Sequence, residues 1–292
     1  HDMGLTWVED ESNQDLRFDR NFIRNEVMPQ LVTRWPSIQT TINRSAAHCR
    51  EGQELLNELA ADDLANSMGA AIKSLNIDPL MMLSTARFNN LIRYFLAQHQ
   101  CLMPSTEQVA QVKQQLQAPY DKTPAIKVGD HYLRRFKSQL YLTPTFNDIS
   151  AWAVELNVKQ FKNITELKLP DGLSEVLFSI NENLLQQVVD NEKRSITKIA
   201  IPKTNQALSI RFNHHNPRCL PDYRKHSRPL KKVLQELEIP PWQRTRIPFL
   251  YYGEALVAAL GYFVCQEYMP SAEQGDKSVQ VVYISYKNNT IA

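Results

Sequence analysis

The sequence predicts an α+β fold: a helical lead-in followed by two small mixed α/β modules. Three observations predict it. Apolar residues recur at helical spacing through most of the first 116 positions. Short apolar runs bounded by turn residues then appear at 125–142 and again at 208–286. The chain has 292 residues, about twice the ~150 used as a prior per domain, so two or three domains are expected. Its 43% hydrophobic content is ample for packed cores.

Taken in order, residues 1–19 are polar and read as loop. Residues 20–33 read as a helix with Phe22, Ile23, Val27 and Leu31 on one stripe. Ser37 can cap a long helix to about Ser67, with a stripe of Ile38, Ile42, Ala46, Leu55, Leu59 and Leu64, and Gly69 suits its stop. Ser84 caps a helix that turns Phe88, Leu91, Ile92, Phe95 and Leu96 inward. Ser105 and Gln108 form a capping box ahead of Val109, Val112 and Leu116. Ala125–Val128, a Gly129-Asp130 turn, His131–Phe136 and Gln139–Leu142 read as a small β-meander. Residues 143–207 are weakly patterned and read as a linker with short strands such as Val176–Ile180. LSIRF at 208–212 is a strand. Residues 213–226 form a basic, proline-broken loop, and Ser227 caps a helix with Leu230, Val233, Leu234 and Leu237 on its apolar face. Pro240-Pro241 ends that helix. Pro248–Tyr252, a Gly253-Glu254 turn and Ala255–Val264 read as a buried hairpin, and Val279–Tyr286 closes the unit.

Composition removes several function classes. The chain has eight glycines, and the closest two, Gly253 and Gly261, are eight residues apart. Cradling phosphate with successive backbone N–H groups needs clustered glycines, so no Walker-type or Rossmann-type site is expected in this chain. The cysteines Cys49, Cys101, Cys219 and Cys265 form no CxxC pair, which argues against structural zinc and for a reduced cytoplasmic setting. His214-His215 lacks acidic or thiol ligands at useful spacing, so no metal site is expected. No run of ~18 apolar residues predicts a membrane span, and no secretory signal is expected near residue 1.

Net charge is only +2 but unevenly spread. Residues 1–63 hold twelve acids, six arginines and no lysine, whereas residues 211–246 hold nine basic residues and three acids. An electrostatic partner is therefore expected on the C-terminal part. Arg224, Lys225, His226, Arg228, Lys231, Lys232, Arg244 and Arg246, with Tyr223 and Trp242 nearby, read as an RNA backbone site with stacking or as a solvated helix face. Arg20 and Arg24, four apart on a helix, either hold phosphate charge or pair with Asp10, Glu11, Asp15 or Asp19. Arg87, Arg93, Arg134, Arg135 and Lys137 form a third basic group, more simply read as surface charge; Arg134 and Arg135 on one strand must point to opposite faces.

The segments WVEDESN, FDRNFIRNEVMPQL, RWP and RSA resemble the end of the catalytic domain of the tRNA(Ile)-lysidine synthetase family, TilS or MesJ. LMMLSTARFNNLIRYFLAQ, PSTEQV, LRRFKSQLYL and SRPLKKVLQELEIPPWQRTRIPFLYYGEALVAALGYFV follow in the family's order. The resemblance covers nearly the whole chain and is weakest at 143–207. It implies a division into 1–36, the end of a PP-loop catalytic domain; 37–72, a connecting helix; 73–143, a middle tRNA-binding module; 144–207, a linker; and 208–292, a C-terminal tRNA-binding module.

The resemblance implies an ATP-dependent carbon–nitrogen ligase. Such an enzyme adenylates C2 of the wobble cytidine of tRNA(Ile) with a CAU anticodon, and the amine of free lysine then displaces AMP. The family's SGGxDS loop is absent here, so ATP and Mg2+ are expected to bind outside this chain, which would be inactive alone and supply mainly tRNA binding. Residue by residue, Arg20, Asn21 and Arg24 fall on the family's RNxxR motif beside the catalytic cleft. Arg228, Lys231, Lys232, Arg244 and Arg246 fall in the C-terminal tRNA-binding module, and Arg87, Arg93 and Arg135 in the middle one. The implied partners are tRNA(Ile), lysine and ATP, with no membrane; analogy with relatives allows a homodimer. A second reading is a stand-alone RNA-binding adaptor without catalysis, which would have no use for the RNxxR motif. A third is a protein-interaction domain whose basic patch is merely solvated.

Overall fold

The computed structural model of the protein describes residues 11–71, 73–117, 124–189, 195–201, 207–270 and 281–287. It has the α+β character expected, in two compact units: residues 1–67 with 79–100, and residues 68–78 with 101–292.

The first unit is helical. A 3-10 turn, Glu11–Gln14, precedes α1, Asp19–Phe22. The backbone then widens into a π turn over Ile23–Val27 before continuing as α2, Met28–Arg34. Pro29 accounts for the widening: it has no N–H, and its ring would meet the carbonyl of Asn25 in a regular helix. The Met28 N–H bonds to the Ile23 carbonyl instead, five residues back. Next come α3, Ile38–Ser67, then α4, Ile77–Met82, and α5, Thr85–Gln98.

The stripe expected along α3 is not its buried face, since Ile42, Leu55 and Leu59 are exposed. The buried positions are Ala60, Asp63 and Ser67 in the last turns. Polar contacts, not apolar periodicity, join α3 to α5 there: Arg87 Nε donates to Asp63 Oδ2 at 3.1 Å, and Asn90 donates to the Leu56 carbonyl at 2.6 Å. Ser84 caps α5 by accepting from the Arg87 N–H, and Phe88, Leu91, Ile92, Phe95 and Leu96 are buried as the periodicity predicts.

The second unit begins with β1, Ser74–Asn76, and α6, Thr106–Leu116, which carries the expected Ser105–Gln108 capping box. β2, Ala125–Val128, β3, His131–Phe136, and β4, Gln139–Pro144, complete an antiparallel sheet ordered β1-β4-β3-β2. Gly69 must be glycine here, because a Cβ would lie 2.9 Å from the Ser74 carbonyl carbon.

Residues 144–207, expected as a linker, do hold short strands, but those strands belong to the two sheets of the C-terminal part. They comprise β5, Ala153–Leu156; β6, Thr165–Leu167; β7, Val176–Ser179; α7, Glu182–Val189; and β8, Ser195–Ala200. The chain continues through β9, Leu208–Arg211; β10, Arg218–Cys219; β11, Arg228–Pro229; α8, Leu230–Glu236; and α9, Pro241–Arg244. It ends with β12, Phe249–Tyr252; β13, Ala255–Ala259; β14, Phe263–Val264; and β15, Val281–Tyr286.

One sheet has the order β14-β13-β12-β9-β5 and the other β6-β7-β15-β8. Phe178 on β7 pairs in register with Ile284 on β15, over a hundred residues later. The run at 176–180 therefore looked unpartnered locally and is central in three dimensions. The inner faces of the two sheets share a core that includes Phe178, Ile199, Ile284, Ile210, Leu250 and Tyr252. Tyr252 donates its hydroxyl hydrogen to the Ala200 carbonyl at 2.8 Å, joining the sheets by a polar contact. On its other face the five-stranded sheet packs α8 through Leu230, Val233, Leu234, Phe249 and Tyr251. α7 covers the outer face of the four-stranded sheet through Leu185 on Leu177.

Arg246 pins three loops together. Its guanidinium donates to Asp171 Oδ2 at 2.5 Å and to the Asp171 carbonyl at 2.9 Å, and lies 4.4 Å from the Phe146 ring centroid. Asn147 donates to Asp171 Oδ1 at 2.6 Å. Burial pushes the Asp171 carboxyl up, but the hydrogen bonds from Arg246 and Asn147 outweigh it and hold it below its ordinary value. Removing one member of a buried pair leaves the other charge uncompensated. Asp171→Ala is therefore expected to lower unfolding free energy by about 3 kcal/mol, read from urea denaturation; a loss no larger than that of a surface alanine substitution would show the pin to be dispensable.

Candidate nucleic-acid interface

The basic segment is built around the start of α8. The helix is not capped by Ser227: Arg228 and Pro229 are in extended β11, and the residue before the helix, Pro229, has no capping side chain. The cap comes from a distant residue. Asn216 Oδ1 accepts from the Lys231 N–H at 2.8 Å, and the Pro217 carbonyl accepts from the Leu230 N–H at 2.9 Å. Two of the free donors at the helix start are thus satisfied by the loop itself. Asn216 adopts a left-handed φ of 53° to do so, a conformation asparagine tolerates better than most residues.

Asn216 is held in turn by His214, whose Nδ1 accepts from the Asn216 N–H at 3.1 Å. The His214 ring packs edge-on to Phe249 of β12, with centroids 5.1 Å apart. Burial, then the charge of Lys231, pulls the His214 pKa below its ordinary 6.5, so the ring is neutral at pH 7 and able to accept. Further along, Arg218 donates to the Ser227 carbonyl at 2.9 Å. Gln266 donates to the Asp222 and Arg224 carbonyls. The loop is therefore pinned at both ends and in the middle.

The surface this presents is basic. Lys225, Arg228, Lys231 and Lys232 are exposed. Glu236 pairs with Arg224 and, at 3.3 Å, with Arg228; among the described residues Lys231 and Lys232 have no acidic partner. Cations in this state are available to phosphate at little desolvation cost.

The other expected site residues are placed differently. Arg244 is half-buried, with Nε donating to the Ile239 carbonyl at 2.7 Å, and burial pulls its pKa down. Arg246 is buried on Asp171. Arg135 is 4% exposed and donates to the Gln115 and Leu116 carbonyls, closing the end of α6. Its alternation along β3 turns it inward. Arg87 holds the buried carboxylate of Asp63, and half-buried Arg93 donates to the Asn89 carbonyl at 3.4 Å. Trp242 is buried rather than available for stacking, packed edge-on to Tyr141 at 5.5 Å with the Arg134 guanidinium 5.6 Å from its ring.

In the helical unit, Asn21 is 6% exposed and donates to the Ser12 and Asp15 carbonyls at 2.8 and 3.0 Å, fixing the approach to α1. Its Oδ1 accepts from Arg24 at 3.3 Å. Arg20 and Arg24 are exposed and make no ion pair among the described residues, while Asp15 is taken by Arg17 at 2.7 Å. Residues 7–10 of the same motif, Asp10 with them, lie outside the described residues.

Sequence reasoning missed the distant cap from Asn216 and the meeting of two cysteines. Cys219 and Cys265, 46 positions apart, are both buried in the core beneath α8, where Cys219 Sγ donates to the Arg228 carbonyl at 3.7 Å. The neighbouring Cys219 thiol, then burial, holds the Cys265 thiol well above its ordinary pKa. The Pro221–Cys265 bridge that brings them together has no local signature.

Residues 208–283 match the family model of the TilS substrate C-terminal domain, residues 75–141 that of the TilS substrate binding domain, and residues 1–31 that of the PP-loop domain. The chain is 39% identical over 280 residues to tRNA(Ile)-lysidine synthase of Vibrio atlanticus, covering 92% of this chain and 59% of that protein. It is 38% identical over 263 residues to tRNA(Ile)-lysidine synthase of Serratia proteamaculans, covering 90% of this chain and 56% of that protein. The chain thus spans somewhat over half the length of the curated relatives it matches. No described helix is long and apolar enough to cross a membrane.

The His214 environment makes stability depend on pH. The folded state resists protonation that the unfolded chain accepts below 6.5, so the stabilisation is present above 6.5 and is lost as pH falls through the lower folded value. Thermal melting between pH 7.5 and 5.5 should cost the wild type more than His214→Asn, which keeps an uncharged acceptor; equal losses would remove His214 from the account.

Proposed function

Because the chain belongs to the tRNA(Ile)-lysidine synthase family, we propose that it supplies the tRNA grip of such a ligase, through the exposed surface of Arg228, Lys231 and Lys232. The observation that carries this reading is that Lys231 and Lys232, at the start of α8 beside Arg228, have no acidic partner among the described residues and follow a loop whose backbone is already fixed. A preorganised cationic surface neutralises phosphate without first having to be ordered, and only Arg228 of the three has a carboxylate, Glu236, to give up among the described residues. The ligation proposed for the whole enzyme joins lysine to C2 of the wobble cytidine of tRNA(Ile) through an adenylated intermediate, in the cytoplasm.

The described residues do not by themselves assemble an ATP or magnesium site. The glycines are too dispersed for a phosphate loop, and among the described residues no cluster of His, Cys, Asp and Glu could hold a metal. We therefore assign ATP and Mg2+ to protein outside this chain, and the chain alone is expected to be inactive. Arg20 and Arg24 remain the proposed contacts to phosphate charge near the reaction, with Asn21 as the positioning residue that orients Arg24. Arg87 and Arg93 are at most secondary RNA contacts, since each already serves the packing of α5.

The test is binding to a tRNA(Ile) transcript with the CAU anticodon, beside elongator tRNA(Met), across a salt series. Log K should fall linearly with log salt. Arg228→Ala with Lys231→Ala should reduce the slope by about two, one per lost phosphate contact. Binding that is absent or indifferent to salt would overturn the reading, and an unchanged slope in the double variant would move the site elsewhere.

A further inference from the structure

The basic loop carries a feature that charge alone does not explain. Tyr223 is 53% exposed. The other aromatic residues described from position 124 onward are buried or half-buried. A tyrosine presents an apolar ring face with a polar tip, a surface suited to a partner that stacks on it and stays wet at its edge. The ring also sits on fixed backbone. The Arg224 N–H bonds to the Pro221 carbonyl at 3.0 Å, the Asp222 N–H to the Val264 carbonyl at 2.8 Å, and Gln266 holds the carbonyls on either side of Tyr223.

We infer that Tyr223 is a stacking platform for an unpaired base of the bound RNA, flanked by the cations that hold its backbone. The inference rests on the RNA-binding reading above and adds the nucleotide face to it. Three features favour a base over an apolar protein surface. Tyr223 is the single exposed large apolar side chain between residues 207 and 268, whereas a protein interface needs a contiguous apolar patch. The same loop and helix start carry the exposed cations Lys225, Arg228, Lys231 and Lys232, which complement phosphate. The two side-chain torsions of Tyr223 on a pinned loop leave little entropy to lose on stacking. A paired base inside a helix has both faces covered, so the nucleotide must lie in a loop or at an end of the tRNA. Stacking tolerates every base, so this contact adds affinity without reading sequence.

The test uses the 292-residue chain and a tRNA(Ile) transcript with the CAU anticodon, comparing wild type, Tyr223→Phe and Tyr223→Ala over the salt series. Loss of one base–aromatic stack is expected to weaken binding roughly ten-fold in Tyr223→Ala. Tyr223→Phe keeps the ring and should bind within about two-fold of wild type. The salt slope should be the same in all three, because no phosphate contact is lost. Thermal melting of both variants verifies that the loop is intact. Wild-type affinity in Tyr223→Ala would overturn the stacking role while leaving RNA binding by the cations in place. A changed slope in Tyr223→Ala, or equal weakening in Tyr223→Phe, would overturn it in favour of an electrostatic or hydroxyl contact. Failure of the wild type itself to bind would overturn both readings.

Discussion

Strand β12 is buried along its whole length, and the burial faces two ways. Leu250 and Tyr252 enter the core shared by the two sheets, while Phe249 and Tyr251 pack beneath α8. Burying side chains of this size contributes roughly 1.5–3 kcal/mol each. An exposed ion pair such as Arg228–Glu236 contributes at most about 1 kcal/mol. Apolar packing on β12 therefore sets where α8 lies, and the charges ride on that placement. His214 extends the same logic, since its ring leans on Phe249 while its nitrogen holds Asn216 at the helix start. The basic surface is thus carried by a chain of contacts that begins in the core.

Much of this was legible in sequence where the signal is local. The capping box at Ser105–Gln108, the cap at Ser84 and the inward face of α5 all follow from short-range periodicity and side-chain chemistry. The hairpin around Gly253 was legible for the same reason, and its glycine takes the left-handed φ of 57° that the turn requires. The α+β class followed from these elements together.

What stayed hidden is non-local. β7 is an ordinary apolar run until β15 arrives to pair with it, so residues 144–207 looked like a linker. Ser227 looked like a cap because it is the right residue type two positions too early; Asn216, fourteen positions before Leu230, caps the helix instead. The α3 stripe misled because apolar periodicity marks a helix face without naming what covers it, and the buried face carries Asp63 for Arg87. In the site, residue type picked out cations but could not tell a free cation from a structural one.

Burial separates those two kinds of cation. Desolvating a guanidinium is costly unless acceptors replace the lost water. Arg135 and Arg246 meet that condition inside the fold, each with two or more acceptors, and Arg244 meets it in part through Ile239. Arginine suits these positions because its planar fork reaches several carbonyls at once. Lysine is a compact, strongly hydrated charge, and Lys231 and Lys232 stay in water on the outer side of α8. The division follows chemistry rather than sequence proximity: Arg246 lies only fourteen positions from Lys232 yet belongs to the loops around Asp171. Once the internal arginines are set aside, Lys225, Arg228, Lys231 and Lys232 stay exposed on the loop and helix start that also carry the exposed ring of Tyr223, and the proposed RNA contact uses that combination.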